Sequence, residues 1–121
     1  MNAGRFAERR ANTMAAVERA GLSGLLVAPG PDLAYLTGHT PPPLERLTML
    51  VLPTGGDPVL VVPSLERLLA ETAPGAPGLR ILDWRDARDD PYAMVADAIG
   101  PGRYAIELAR AVTSRDGLDA G

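Results

Sequence analysis

His39 is the only imidazole in this 121-residue chain, and it lies between Gly38 and Thr40, shortly before the charged pair Glu45-Arg46. A histidine carried on a loop can be a general base, a metal ligand or a polar contact, and each role needs different neighbours. A metal site requires at least two further convergent ligands, and a hydrolytic triad requires an activated nucleophile and an orienting acid. The sequence does not establish those neighbours, so the plainer reading, a loop histidine bonded to backbone or at the surface, stays beside the functional one. Glu45 and Arg46 carry a similar pair of readings. Arginine grips a carboxylate through paired hydrogen bonds, but adjacent charges at the start of an apolar strand also form ordinary surface ion pairs.

Other chemistry finds less support. The aspartates at 83, 86, 89 and 90 read as a charged loop, because they share no metal-facing period and lack calcium-loop spacing. With no cysteine there is no disulfide, thiolate nucleophile or zinc-thiolate site. No Gly-x-Gly-x-x-Gly fingerprint follows the first apolar run, and no phosphate-binding loop ends in Lys-Ser or Lys-Thr. Around His39 the remaining residues have structural work to do: Tyr35 can pack its ring beneath the loop, Thr37 can satisfy local backbone groups, and Gly38 can turn the chain. Pro41-Pro42-Pro43 is stiff and extended, and holds the approach to Glu45 and Arg46 in one direction.

Composition narrows the partners. Apolar residues make up 46 % and charged residues 22 %, ordinary globular usage, while 4 % aromatics leave the core to aliphatic side chains. A net charge of -3 gives no basis for nucleic-acid or anionic-membrane binding, and Arg5, Arg9 and Arg10 read as a solvated helix face. The first residues lack a signal-peptide core and no run reaches membrane-spanning length, so a soluble protein of the cytoplasm is expected.

The elements that must position the loop follow from periodicity. Phe6, Met14 and Val17 mark an amphipathic helix over 5–20 that Gly21 ends. Leu25 to Ala28 form a strand buried on both faces, and Pro31 starts a short turn carrying Leu33 and Leu36 that Gly38 stops. Strands over 47–52 and 58–63 flank Thr54-Gly55-Gly56-Asp57 as a hairpin. Ser64 is expected to cap a helix over 65–71 that buries Leu65, Leu68 and Leu69 and leaves Glu66, Arg67 and Glu71 wet. A strand over 79–82, a Trp84-anchored loop, a helix over 92–99 capped by Asp90, a strand over 104–108 and the start of another helix complete the order. This alternation predicts an α/β layer structure with a mixed sheet.

At this point GLSGLLVAPGPDLAYLTGHT, followed by ERLTMLVLPTGGDPVLVVPSLE, resembles the N-terminal domain of the aminopeptidase P, prolidase and creatinase superfamily. The likeness runs through the Trp84 region to Ile106-Glu107 and covers nearly the whole chain. It implies a three-layer α/β/α domain with a mixed sheet, occupying 1–121 as a single domain without its last strand. The catalytic domain, of pita-bread fold, would be absent from this sequence. Enzymes of the family cleave peptides next to proline or, in the creatinase branch, a small amidino compound. Their usual paired divalent metals, such as Mn, Co or Zn, are held by two aspartates, a histidine and two glutamates of the catalytic domain, and none of that set can be placed here. The resemblance further implies a homodimer in which this domain supports assembly and gates an active site. It puts the projecting surface at His39 to Arg46: Arg46 as a substrate-carboxylate or interface contact, His39 as a polar contact, and Glu45 beside them. The proline triplet and an end short of the usual final strand depart from the family pattern, the latter suggesting an excised domain or a truncated product.

Two competing functions remain open at the level of sequence. One is an independent small-molecule or protein-binding module using the YLTGHTPPPLER loop; the weaker one is a self-contained hydrolase built on His39 and the aspartates.

Overall fold

In the computed structural model, which describes residues 2–41 and 46–107, the expected alternation forms a five-stranded mixed sheet. Helix α1 (Ala3–Arg19) is capped by Asn2, whose side chain accepts from the Arg5 amide at 3.0 Å. Then come β1 (Gly24–Val27), α2 (Pro31–Thr37), β2 (Met49–Pro53) and β3 (Val59–Pro63). A 3-10 turn (Ser64–Glu66) leads into α3 (Arg67–Glu71), and β4 (Arg80–Trp84), α4 (Pro91–Ile99) and β5 (Tyr104–Glu107) follow. Asp90 caps α4 by accepting from the amides of Tyr92 and Ala93.

The strand order is β4-β3-β2-β1-β5. β1 pairs antiparallel with β2, and β2 with β3, while β5 and β4 add in parallel at the two edges. Alternation along the strands divides the core in two. Val27, Leu50, Leu52, Leu60 and Val62 join Leu33, Leu36 and Ala70 on one face. Leu26, Val51, Val59, Val61 and Trp84 join Val95 and Ile99 of α4 on the other. Helices therefore lie on both faces of the sheet. Gly24 lets α4 approach β1 closely, since a Cβ there would collide with Ile99 and with the Leu52 carbonyl.

Three expectations are overturned. First, the leucine stripe of the 3-10 turn and α3 faces outward: Leu65, Leu68 and Leu69 are 85 %, 73 % and 56 % exposed, and the small Ala70 meets the core instead. Periodicity identifies a stripe without saying which side meets the sheet. Here Ala70 allows the short helix to sit close, while Arg67 reaches Asp83 of β4 at 2.6 Å. Second, Ser64 caps nothing, because the segment opens as a 3-10 turn rather than an α-helix. Third, the arginines of α1 are not one wet face. Arg10 is buried, its guanidinium donating to the carbonyls of Leu36, Gly75 and Pro77 at 2.9, 3.0 and 3.2 Å. Arg9 donates to the Tyr35 carbonyl and lies over the Phe6 and Tyr35 rings. The helix expected after Glu107 lies outside the described residues.

Candidate functional site

The loop singled out by sequence leaves the C-terminus of α2. Thr37 is fully buried; its hydroxyl donates to the Leu33 carbonyl at 2.7 Å and accepts from the His39 amide at 3.0 Å. Gly38 takes the left-handed conformation with φ of 77° and donates to Ala34 at 2.8 Å, which closes the helix and aims the next residue. A side chain at Gly38 would also strike Pro74.

His39 turns inward rather than presenting its imidazole to solvent. It is 2 % exposed, and its Nε2 is buried with no hydrogen-bond partner among the described residues. Burial pushes its pKa below the usual imidazole range, and the charge of nearby Glu66 partly opposes that shift. The neutral ring therefore prevails at pH 7. Glu66, expected on the wet side, has its Oε1 buried and likewise without a partner among the described residues. The sequence carried no signal for this influence, because it joins His39 to a residue of the 3-10 turn 27 positions away.

Pro41 is buried, whereas Pro42, Pro43 and Glu45 lie outside the described residues. Arg46 is exposed and paired through Nη2 with Asp86 at 2.6 Å, so the loop's far end is tied to the segment between β4 and α4. Trp84 supports the same end by donating from its indole to the Leu47 carbonyl at 2.9 Å. Tyr35 does not tuck beneath the loop. It is 55 % exposed, and its ring stacks with Arg9, the cation 4.1 Å from the ring centre. The structure thus brings His39, Glu66, Arg46, Asp86 and Trp84 to one end of the sheet and leaves Tyr35 on the flank.

The chemistry of this end is limited. Among the described residues no group of three or more His, Asp or Glu side chains is placed to hold a metal ion. An arginine already paired with a carboxylate and one neutral, enclosed imidazole can position or bind, but they do not form a nucleophile-base-acid set. A hollow of about 450 Å³ lies at the opposite end of the sheet, beside the β2–β3 turn, with Asp57, Arg80 and Asp97 on its rim. The Thr54-Gly55-Gly56-Asp57 turn lines it, and none of the candidate site residues read from the sequence does.

Fold and loop together define a class. The creatinase/prolidase N-terminal domain model matches residues 9–118, and the chain belongs to that family. Among relatives, it is 47 % identical over 96 residues to "Probable dipeptidase PepE" of Mycobacterium bovis, and equally so to the Mycobacterium tuberculosis protein of that name. Those alignments cover 78 % of this chain and 25 % of the relative, so the chain spans about a quarter of the relatives' length. The crystal structure of dipeptidase PepE from Mycobacterium ulcerans superposes with a TM-score of 0.72 at 33 % identity, covering 97 % of this chain and 38 % of that one. The N-terminal domain of an Xaa-Pro dipeptidase from Lactobacillus brevis shares the fold at 23 % identity, with a TM-score of 0.71 and coverage of 81 % and 75 %.

Proposed function

We propose that this chain is the noncatalytic N-terminal domain of an Xaa-Pro peptidase-like metalloenzyme of the cytoplasm, serving its homodimeric assembly and the gating of its active site. The observation that carries the reading is the match of 78 % of the chain to 25 % of the length of relatives named as dipeptidases. The two divalent metals of such an enzyme, Mn, Co or Zn, find no ligand set among the described residues. In this reading the ligands belong to a catalytic domain outside this sequence, and 1–121 is one domain. The His39–Arg46 loop is its working surface. Gly38 and buried Thr37 bear on where the loop starts, and Trp84 and Asp86 on where it ends, which supports reading it as a segment whose two ends are tied to the fold.

The test is an assay of purified, demonstrably folded chain against X-Pro dipeptides and longer X-Pro peptides, with Mn²⁺, Co²⁺ or Zn²⁺ and with chelator. The expected result is no turnover. Chelator-sensitive hydrolysis that follows the protein through purification would overturn the noncatalytic reading. In a complete enzyme carrying this domain, replacing Arg46 or His39 should change KM, kcat or assembly; unchanged kinetics and assembly remove that residue's role.

A further inference from the structure

The hollow beside the β2–β3 turn is walled by charges of both signs. It holds about 450 Å³, within the roughly 300–1,000 Å³ of small-molecule sites. Separate pieces of chain build it: Ser23 before β1, the turn residues 54–57, Arg80 at the start of β4, and residues 97–101 where α4 ends. The sheet register explains how they meet. Arg80 pairs with Val59 and alternates in step with Leu82 and Trp84, which pack on the α4 face. Its amide donates to the Pro58 carbonyl at 3.2 Å. The Arg80 side chain therefore leaves the sheet on the side where α4 ends, beside the residue that follows Asp57.

These charges are not matched within the fold. Asp57, Arg80 and Asp97 are exposed, and none has a side-chain hydrogen bond or ion pair among the described residues, whereas Arg46, Arg67 and Arg88 are each paired with an aspartate. The end of α4 adds to the imbalance. Its last turn carries no basic residue, and Pro101 has no amide to offer the Asp97 carbonyl. Among the described residues the carbonyls of Asp97, Ala98 and Ile99 accept no backbone hydrogen bond. A helix C-terminus is equivalent to roughly half a negative charge, so it stands with both carboxylates against one guanidinium. The hollow thus favours an incoming cation, while Arg80 offers its fork to a carboxylate. Two carboxylates fall short of a metal-ligand set, so an organic ammonium fits better than a metal ion.

We infer that this hollow binds a small zwitterion of the class of free α-amino acids and short peptides. The ammonium lies toward Asp57, Asp97 and the end of α4, and the carboxylate lies on Arg80. A simple amine would leave Arg80 unmatched, and a simple carboxylate would meet the two aspartates. The site is at the opposite end of the sheet from His39 and does not depend on the domain's proposed place in a peptidase.

Because the hollow is open and its charges are wet, binding should be weak, with a Kd of about 1–10 mM. Titration of the isotope-labelled chain with glycylglycine, followed by amide chemical shifts, should give saturable changes at Gly55, Gly56, Arg80 and Gly100, which line the hollow. A matched sodium chloride titration should not. N-acetylglycylglycine lacks the ammonium and glycylglycine amide lacks the carboxylate, and each should bind about fivefold more weakly, the worth of one exposed charge pair. Arg80→Gln should remove the preference for glycylglycine over its amide, and Asp97→Asn should reduce the preference over the acetylated form. Both variants should keep the wild-type circular dichroism, since neither side chain is bonded within the fold. Shifts that do not saturate by about 30 mM, shifts centred outside the hollow, equal binding of the three peptides, or unaltered preferences in both variants would overturn the site. None of these results touches the supporting-domain reading, which is decided by the turnover assay.

Discussion

Replacing Arg10 by methionine should be among the most damaging single changes in the domain. Methionine keeps much of the aliphatic stem and fills the space, so little room is left for water to reach the carbonyls of Leu36, Gly75 and Pro77. Two of the three bonds lost are buried and one is partly buried, all from a charged donor, and no carboxylate neutralises Arg10 among the described residues. Hydrogen bonds to charged groups contribute about 1.5–3 kcal/mol each, and part of that is offset by the desolvation that already holds the guanidinium pKa below its ordinary range. The expected loss is about 3–5 kcal/mol, against a total for a domain of about 5–15. Urea denaturation followed by circular dichroism would measure it, with Tm falling by roughly 10–25 °C. Arg10→Lys, able to restore only part of the set, should fall between, and Arg5→Met, at an exposed position of the same helix, should lie within about 0.5 kcal/mol of wild type. A loss below about 1 kcal/mol for Arg10→Met would refute the view that these carbonyls depend on the guanidinium.

Gly75→Ala should cost about 2–3 kcal/mol by urea titration, since the new Cβ would stand 2.5 Å from the Thr37 carbonyl and 2.8 Å from Phe6 Cγ. Gly55→Ala, with open space around it, serves as the control and should be neutral or stabilising. Because burial lowers the His39 pKa in the folded state, the unfolded chain takes up the proton first as pH falls. The His39 contribution is then complete above about pH 7 and declines below about 6.5, with a slope of up to roughly 1.4 kcal/mol per pH unit, until the folded ring also protonates. Urea midpoints between pH 5 and 8 should show this slope in wild type and lose it in His39→Gln; an identical slope in the variant sinks the assignment. Arg46→Ala should shift stability by less than about 0.5 kcal/mol, because Arg46 and Asp86 are both well exposed, and a larger loss in the same titration would mean that the loop's foot is structural.

Much of the architecture was legible because its signals are local. Gly21 and Gly38 do end helices in the left-handed region, Asp90 does cap α4, and the Thr54-Gly55-Gly56-Asp57 turn does join antiparallel strands. The errors came where a side chain's setting depends on a distant segment. Arg10 looked like its exposed neighbour Arg5 until residues 75 and 77 supplied carbonyls. His39 looked like a displayed loop residue, but the fold buries it and sets the charge of Glu66, 27 positions on, within electrostatic range. Leu65, Leu68 and Leu69 had the right spacing for a buried stripe, yet Ala70 takes the core side and Arg67 bonds Asp83 of β4, a partner 16 residues on. The loop itself was visible in the order Tyr35-Leu36-Thr37-Gly38, but its anchoring by Trp84 and Asp86 joins residues too far apart for any spacing rule.

The reach of Arg10 also bears on how the domain is made. Its partners Gly75 and Pro77 follow it by 65 and 67 residues. At ribosomal rates of about 5–20 residues per second, Arg10 is synthesised roughly 3–13 s before those carbonyls exist. Over that interval the helix carries an arginine still solvated and a Phe6 without the Gly75 backbone it will pack against. Completion of the N-terminal helix is thus deferred to the synthesis of the connection between α3 and β4, and a nascent chain halted before Pro77 should leave its first element open to chaperones and proteases.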